Sequence, residues 1–243
     1  MPRYSPRFLV KTNVQNAETG HPLLIGLHAA RANVVPGLIV QAAMVAVVLA
    51  YYFYEPARAW MAQLALLKQH WGYGFTFVSS AVAGGVMPEL LTVVVFQRCR
   101  VRRENLGNLI FAILFWGVQG MIVDVLYRFQ AVMFGAHVDC LTVMKKMLVD
   151  QFVFNPAFAM PWTMALYEWK GQGYRFAGMS RVLTGGFYKN RTLPAMVATW
   201  GVWIPLVSLV YSLPPLLQIP LFSLALTFWV ILFTWISRKQ QRS

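Results

Sequence analysis

Charged residues are spaced so unevenly along the chain that they mark out its elements. Ala32 to Tyr54 runs for 23 residues without a charge, and Trp71 to Gln97 runs for 27 with Glu89 as the sole exception. Asn105 to Val123 gives 19 uncharged residues and Gln151 to Tyr167 gives 17. Thr192 to Ser237 then extends for 46. A hydrocarbon core of about 30 Å is crossed by about 20 helical residues, so the last run is too long for one crossing. Pro214-Pro215 falls at its middle, and a proline pair does not continue a helix. The pattern therefore predicts six spans, near 34–54, 71–97, 105–123, 151–167, 193–213 and 216–236. The fourth is the shortest and holds Asn155, Pro156 and Pro161.

Loop charge tests that count independently. With six spans, one side of the membrane receives the N-terminal segment, the loops after spans 2 and 4, and the C-terminus. Those segments hold 16 of the 21 Lys and Arg residues, and the other side holds 5. So strong a positive-inside bias places both termini on the cytoplasm-like side. Tyr51, Tyr52 and Tyr54 close span 1, Trp71 and Tyr73 open span 2, and Trp235 ends span 6, where interfacial rings belong. Trp116, Trp200, Trp203 and Trp229 lie deeper, as packing groups.

Composition agrees. Of the 243 residues, 58% are apolar and only 12% charged, against roughly 25% charged in soluble domains, too few to cover a soluble surface. The net charge of +13 would suggest nucleic acid in a soluble chain; here it reads as a topology signal, and no nucleic-acid partner is expected. Residues 1–33 form a polar, basic segment without the early apolar core of a secretory signal, and 238–243 a basic tail. Cys99 and Cys140 fall in different loops and make no disulfide framework. Neither a nucleotide-binding glycine loop nor an HExxH pair occurs, and the four histidines are scattered. We expect no enzyme, no metal and no cofactor.

The polar residues inside the spans are then the candidates for function. Glu89 lies about nine residues, roughly 13 Å, from the basic end at Arg98. Pro88 precedes it and leaves the carbonyl of Gly84 without its helical donor. Ser80, Ala81, Gly84 and Gly85 form small-xxx-small pairs that admit a close neighbouring helix. A kink, a close neighbour and a carboxylate suit a polar pathway; the plainer reading pairs Glu89 with an arginine or a small wet pocket. Asp124 and Arg128, four apart, read first as a local ion pair at the end of span 3, whose Gly117 and Gly120 share a face. Before span 4, Lys145 and Lys146 sit at headgroup level, and Asp150-Gln151 enters the bilayer edge to cap or bond a neighbouring helix.

Lys146-Met147-Leu148-Val149-Asp150-Gln151 followed by Pro156 resembles the K-M-x-x-D-Q-x-x-x-x-P signature of the family of the 22-kDa peroxisomal membrane protein and its mitochondrial relative Mpv-seventeen. Gly120 to Tyr127-Arg128 is similar to its G-P-x-x-H-x-W-Y segment, with Asp124 about where the family has histidine. Trp200 to Trp203 resembles N-W-x-x-W-P, and Leu213-Pro214-Pro215 resembles F-x-x-V-P. The order holds from about residue 55 to 237, so residues 1–50 with span 1 read as an addition to the family's shorter chain.

The resemblance implies a channel-like protein affecting small-metabolite or ion balance. It favours the mitochondrial inner membrane, with another organelle or a bacterial cytoplasmic membrane as alternatives. The expectation is thus an all-α, polytopic helical bundle, with Glu89, Pro88, Asp124, Asp150 and Gln151 as pathway or helix-interface residues. The lipid bilayer is its partner, together with further copies of the chain or the subunits of a larger membrane complex. A non-catalytic interaction subunit is the alternative function.

Overall fold

The computed structural model describes residues 21–239, and every regular element among them is helical. Most of the expected basic segment 1–33, residues 1–20, lies outside the described residues, as do residues 240–243 of the tail. The helices are α1 (Pro22–Phe53), α2 (Glu55–Trp71), α3 (Tyr73–Phe96), α4 (Arg103–Phe134), α5 (residues 140–171), α6 (Gly185–Tyr211) and α7 (Pro215–Lys239). A short 3₁₀ turn, Met179–Leu183, joins α5 to α6.

Among the described residues, five helical stretches are long and apolar enough to cross a membrane: Asn33–Phe53, α3, α4, α6 and Pro215–Leu232. The architecture is an all-α transmembrane bundle. The fourth expected span, 151–167, is helical within α5, but Asp150, Gln151, Asn155 and two prolines dilute it, and it is not among the five. Its crossing has a direct check. Exposed Cys99 and Cys140 should react with a membrane-impermeant maleimide from opposite sides, and a Gly173→Cys thiol from the side of Cys99. Labelling of Gly173→Cys from the side of Cys140 would reduce the crossings to five.

Boundaries differ from expectation where charge is locally tolerated. α1 starts at Pro22, so residues 22–33, expected in the polar segment, are its first turns despite Arg31. α4 runs on to Phe134, beyond Asp124 and Arg128. His28 and His70 stand in helices.

Among the described residues, prolines account for three of the four π-helical stretches; the fourth, Thr92–Phe96, has none in it or just after it. Val82–Val86, Asp150–Ala159 and Tyr188–Thr192 adopt π-helical i→i+5 bonding beside Pro88, Pro156 with Pro161, and Pro194. Widening the turn re-satisfies backbone groups that a proline strands. One carbonyl still lacks a helical donor. Met160 donates to Asn155, and position 161, which would serve the carbonyl of Pro156, is itself proline. The Tyr188 hydroxyl donates to that carbonyl instead, at 3.1 Å. Tyr188→Phe should therefore cost about 1–3 kcal/mol, read as earlier unfolding in mixed detergent micelles.

The described residues divide into two compact units. One comprises those up to Gly37 and Leu148–Ile204; the other comprises Leu38–Met147 and those from Pro205 onward. In the first unit, a Cβ on Gly26 would lie 2.8 Å from Val197, and one on Gly37 would lie 2.6 Å from Val202, so α1 and α6 touch almost backbone to backbone. Asn33 adds a hydrogen bond to the carbonyl of Ala198 at 2.9 Å. Met160, Met164, Ala195 and Met196 form the local core, and Trp200 packs on Phe152 with ring centroids 5.1 Å apart.

In the second unit, α3 and α4 pack antiparallel through the small residues singled out in the sequence. A Cβ on Gly84 would strike the Trp116 ring, one on Gly117 the Phe77 ring, and one on Gly120 the Ser80 side chain. Lipid tails are as apolar as leucine, so such close contact is what draws membrane helices together. On the outward side of α4, Ile110, Leu114 and Val118 are exposed as a lipid-facing stripe, and exposed Val125, Phe129 and Val132 continue along the helix from Asp124 onward. Tyr127 packs on Tyr211 and Phe222, tying α4 to the α6–α7 turn.

Candidate functional site

The second unit holds polar groups at both ends of the α3–α4 pair. At one end Asp124, 3% exposed, receives three donors. Lys68, at 2% exposed, forms a salt bridge to its Oδ2, and Thr76 Oγ1 donates to the same oxygen at 2.7 Å. Arg128 Nε reaches Oδ1 at 3.1 Å. The expected Asp124–Arg128 pair is therefore present, but it is the outer half of a larger cluster. Arg128 is half-exposed and lies over the Tyr73 ring at 4.7 Å, where the ring face attracts its charge.

Lys68 enters the cluster because of the turn at Gly72. Its φ of +53° suits a residue without Cβ, and the reversal brings the last turn of α2 against the first turn of α3. Lys68 Nζ also donates to Thr76 and to the carbonyl of Gly72 at 3.3 Å. Burial pushes its ammonium below the ordinary lysine range, while the hydrogen bond and charge of Asp124 pull it back up. In the sequence Lys68 falls between expected spans 1 and 2, where no motif singles it out. The only hint was one lysine at the end of an otherwise apolar stretch, Leu64 to Leu67.

Both ends of α2 sit at this end of the unit. Tyr52, just before it, donates to the carbonyl of Ser212 at 2.6 Å, and Lys68 closes on Asp124. Trp60, Leu66, Leu67 and Trp71 remain exposed on α2, as suits a helix at the membrane–water boundary.

At the other end, Glu89 accepts a hydrogen bond from the Asn105 side chain, and Asn105 Oδ1 accepts the backbone N–H of Arg102 at 2.6 Å. Asn105 is buried and Glu89 partly so. Of the alternatives weighed for Glu89, the arginine partner is thus replaced by Asn105 in the first turn of α4, whose positive dipole end favours a carboxylate. Asn105 and Asp124 are 19 residues apart, about 28 Å along α4, close to the thickness of a hydrocarbon core. The two clusters therefore lie near opposite membrane faces.

Asp150 and Gln151 are buried in the first unit, where Gln151 Nε2 donates to Asp150 Oδ1 at 2.9 Å and Gln151 Oε1 has no partner among the described residues. Glu89 and Asp124 belong to the other unit. Lys146, expected at headgroup level, is 1% exposed, because α5 turns it inward while Lys145 faces out. Burial lowers its ammonium from the ordinary range, against the pull of Asp139.

The second unit also buries uncharged polar groups that a tally of charges overlooks. Ser80 Oγ, Gln119 Oε1 and both amide atoms of Gln130 have no hydrogen-bond partner among the described residues. No group of three or more His, Cys, Asp or Glu side chains converges among them either. No family model, curated protein or solved structure matches the chain.

Proposed function

We propose that this multi-pass membrane protein is channel-like, with a pathway for small solutes or ions inside the unit formed by Leu38–Met147 and the residues from Pro205 onward. The unpartnered buried polar atoms carry the reading. Each such atom costs about 1–3 kcal/mol when left dry, and lipid cannot satisfy it. Gln119 and Gln130 lie in a unit that also encloses Lys68 and Asp124, and water entering there would relieve both, whereas Ser80 stands in the α3–α4 seam against Gly120. The glycine contacts close the α3–α4 seam itself, so the route lies along other faces of these helices.

Glu89 stands at one mouth and Asp124 at the other. In planar bilayers the purified chain should conduct, and Glu89→Gln should shift its reversal potential toward anions by removing the carboxylate at the mouth. A silent bilayer, or unchanged selectivity, contradicts the proposal. The resemblance to the Mpv-seventeen family supports the same class and favours the mitochondrial inner membrane; fractionation of cells tests the location.

The closed α3–α4 seam favours a second reading, a non-catalytic subunit of a larger membrane complex. Native mass measurement after mild extraction separates the two. A stoichiometric heteromeric partner favours the subunit reading, and a lone chain or homo-oligomer favours the channel.

A further inference from the structure

The turn between α3 and α4 presents four arginines within six residues: Arg98, Arg100, Arg102 and Arg103. All four are exposed, and none enters an ion pair among the described residues. The one carboxylate beside them in sequence, Glu104, is exposed, and Glu89 is taken by Asn105. The turn is held in shape by its own backbone: Cys99 N–H bonds to the carbonyl of Val93 at 2.9 Å, and Arg100 N–H to that of Gln97 at 3.1 Å. Arg98 and Cys99 both take left-handed conformations, φ +53° and +59°, which are costly for residues with a Cβ. Between the arginines Val101 is 76% exposed, an apolar side chain at the end of two membrane-crossing helices.

Four guanidinium groups fixed on one short turn repel one another unless an anion lies between them. Their planar forks suit phosphate oxygens, and the start of α4 adds its positive dipole end. Val101 gives the turn an apolar point that suits the acyl layer rather than water. We propose that this turn binds the phosphate headgroup of an anionic phospholipid, with Val101 entering the acyl region beside it. Lipid, rather than free phosphate, fits because the turn joins two spans and places its charges at headgroup depth.

The test uses the full chain, extracted in mild detergent, stripped of lipid and mixed with equal amounts of phosphatidylglycerol and phosphatidylcholine of identical acyl chains. Native mass spectrometry then counts the lipid retained. Phosphatidylglycerol should dominate, and R98Q/R102Q should lower that preference by tenfold or more, at about five-fold per arginine. R175Q/K189Q, which removes two exposed charges from another basic segment, should leave it unchanged. Equal retention of both lipids, equal losses in the two double variants, or complete displacement by excess inorganic phosphate would each overturn the proposal. A second measurement leaves the arginines intact and so does not depend on the folding of a variant. In vesicles, a fluorophore on Cys99 of the Cys140→Ser chain should be quenched more by headgroup-spin-labelled phosphatidylglycerol than by spin-labelled phosphatidylcholine; equal quenching overturns the proposal.

Discussion

Asp124→Leu should destabilise the protein by about 3–5 kcal/mol, the usual cost of removing one partner of a buried ion pair. Lys68 would keep the Thr76 hydroxyl and the Gly72 carbonyl but lose the carboxylate that offsets its burial. It would then release its proton or draw water into the unit. Arg128 would lose little, since it is half-exposed and keeps the Tyr73 ring. Arg128→Gln should accordingly cost no more than about 1 kcal/mol, as for exposed pairs. Unfolding in mixed detergent micelles measures both, and near-equal losses would mean that Lys68 and Asp124 do not meet inside the protein.

Gly120→Leu should be comparably damaging, by about 3 kcal/mol, for a steric reason. A Cβ alone at this position would strike Ser80 Oγ and Cβ and come within 3.3 Å of the Thr76 carbonyl. Backbone cannot yield as a flexible side chain does, so α3 and α4 must move apart. That separation would also pull Thr76 from Asp124 one turn away. Gly107 on the same helix supplies the control, because a Cβ there meets nothing within 4 Å. Gly107→Ala should raise stability by about 0.5–1 kcal/mol through helix propensity. A Gly120→Leu protein as stable as the native one would show that the helices are not in contact along this face.

Much of this was legible in the sequence because membrane helices announce themselves by local composition. Five of the six expected spans coincide with helical stretches long and apolar enough to cross a membrane. The spacings of Ser80 with Gly84 and of Gly117 with Gly120 pointed to the contact face, and the i,i+4 spacing of Asp124 and Arg128 gave one ion pair. What stayed hidden depended on distance along the chain. Lys68 lies 56 residues from Asp124, and its approach requires the reversal at Gly72. Asn105 reaches Glu89 across a turn, where an arginine is the more obvious partner by charge. The start of α1 was obscured for a different reason: Arg31 lies within the helix, and charge alone does not end one. The burial of Lys146 was hidden because neighbouring lysines on a helix point about 100° apart, and only packing decides which is enclosed.

The charge pair enclosed in the second unit is tested most directly by a double-mutant cycle. Lys68→Met, Asp124→Leu and the double variant are compared with the native chain by unfolding in mixed micelles. Each single change should cost about 3–5 kcal/mol, and the double variant should recover most of that loss, because an apolar pair of similar volume removes both buried charges together. Losses that simply add in the double variant would show that the two residues do not interact, and would contradict the buried Lys68–Asp124 cluster.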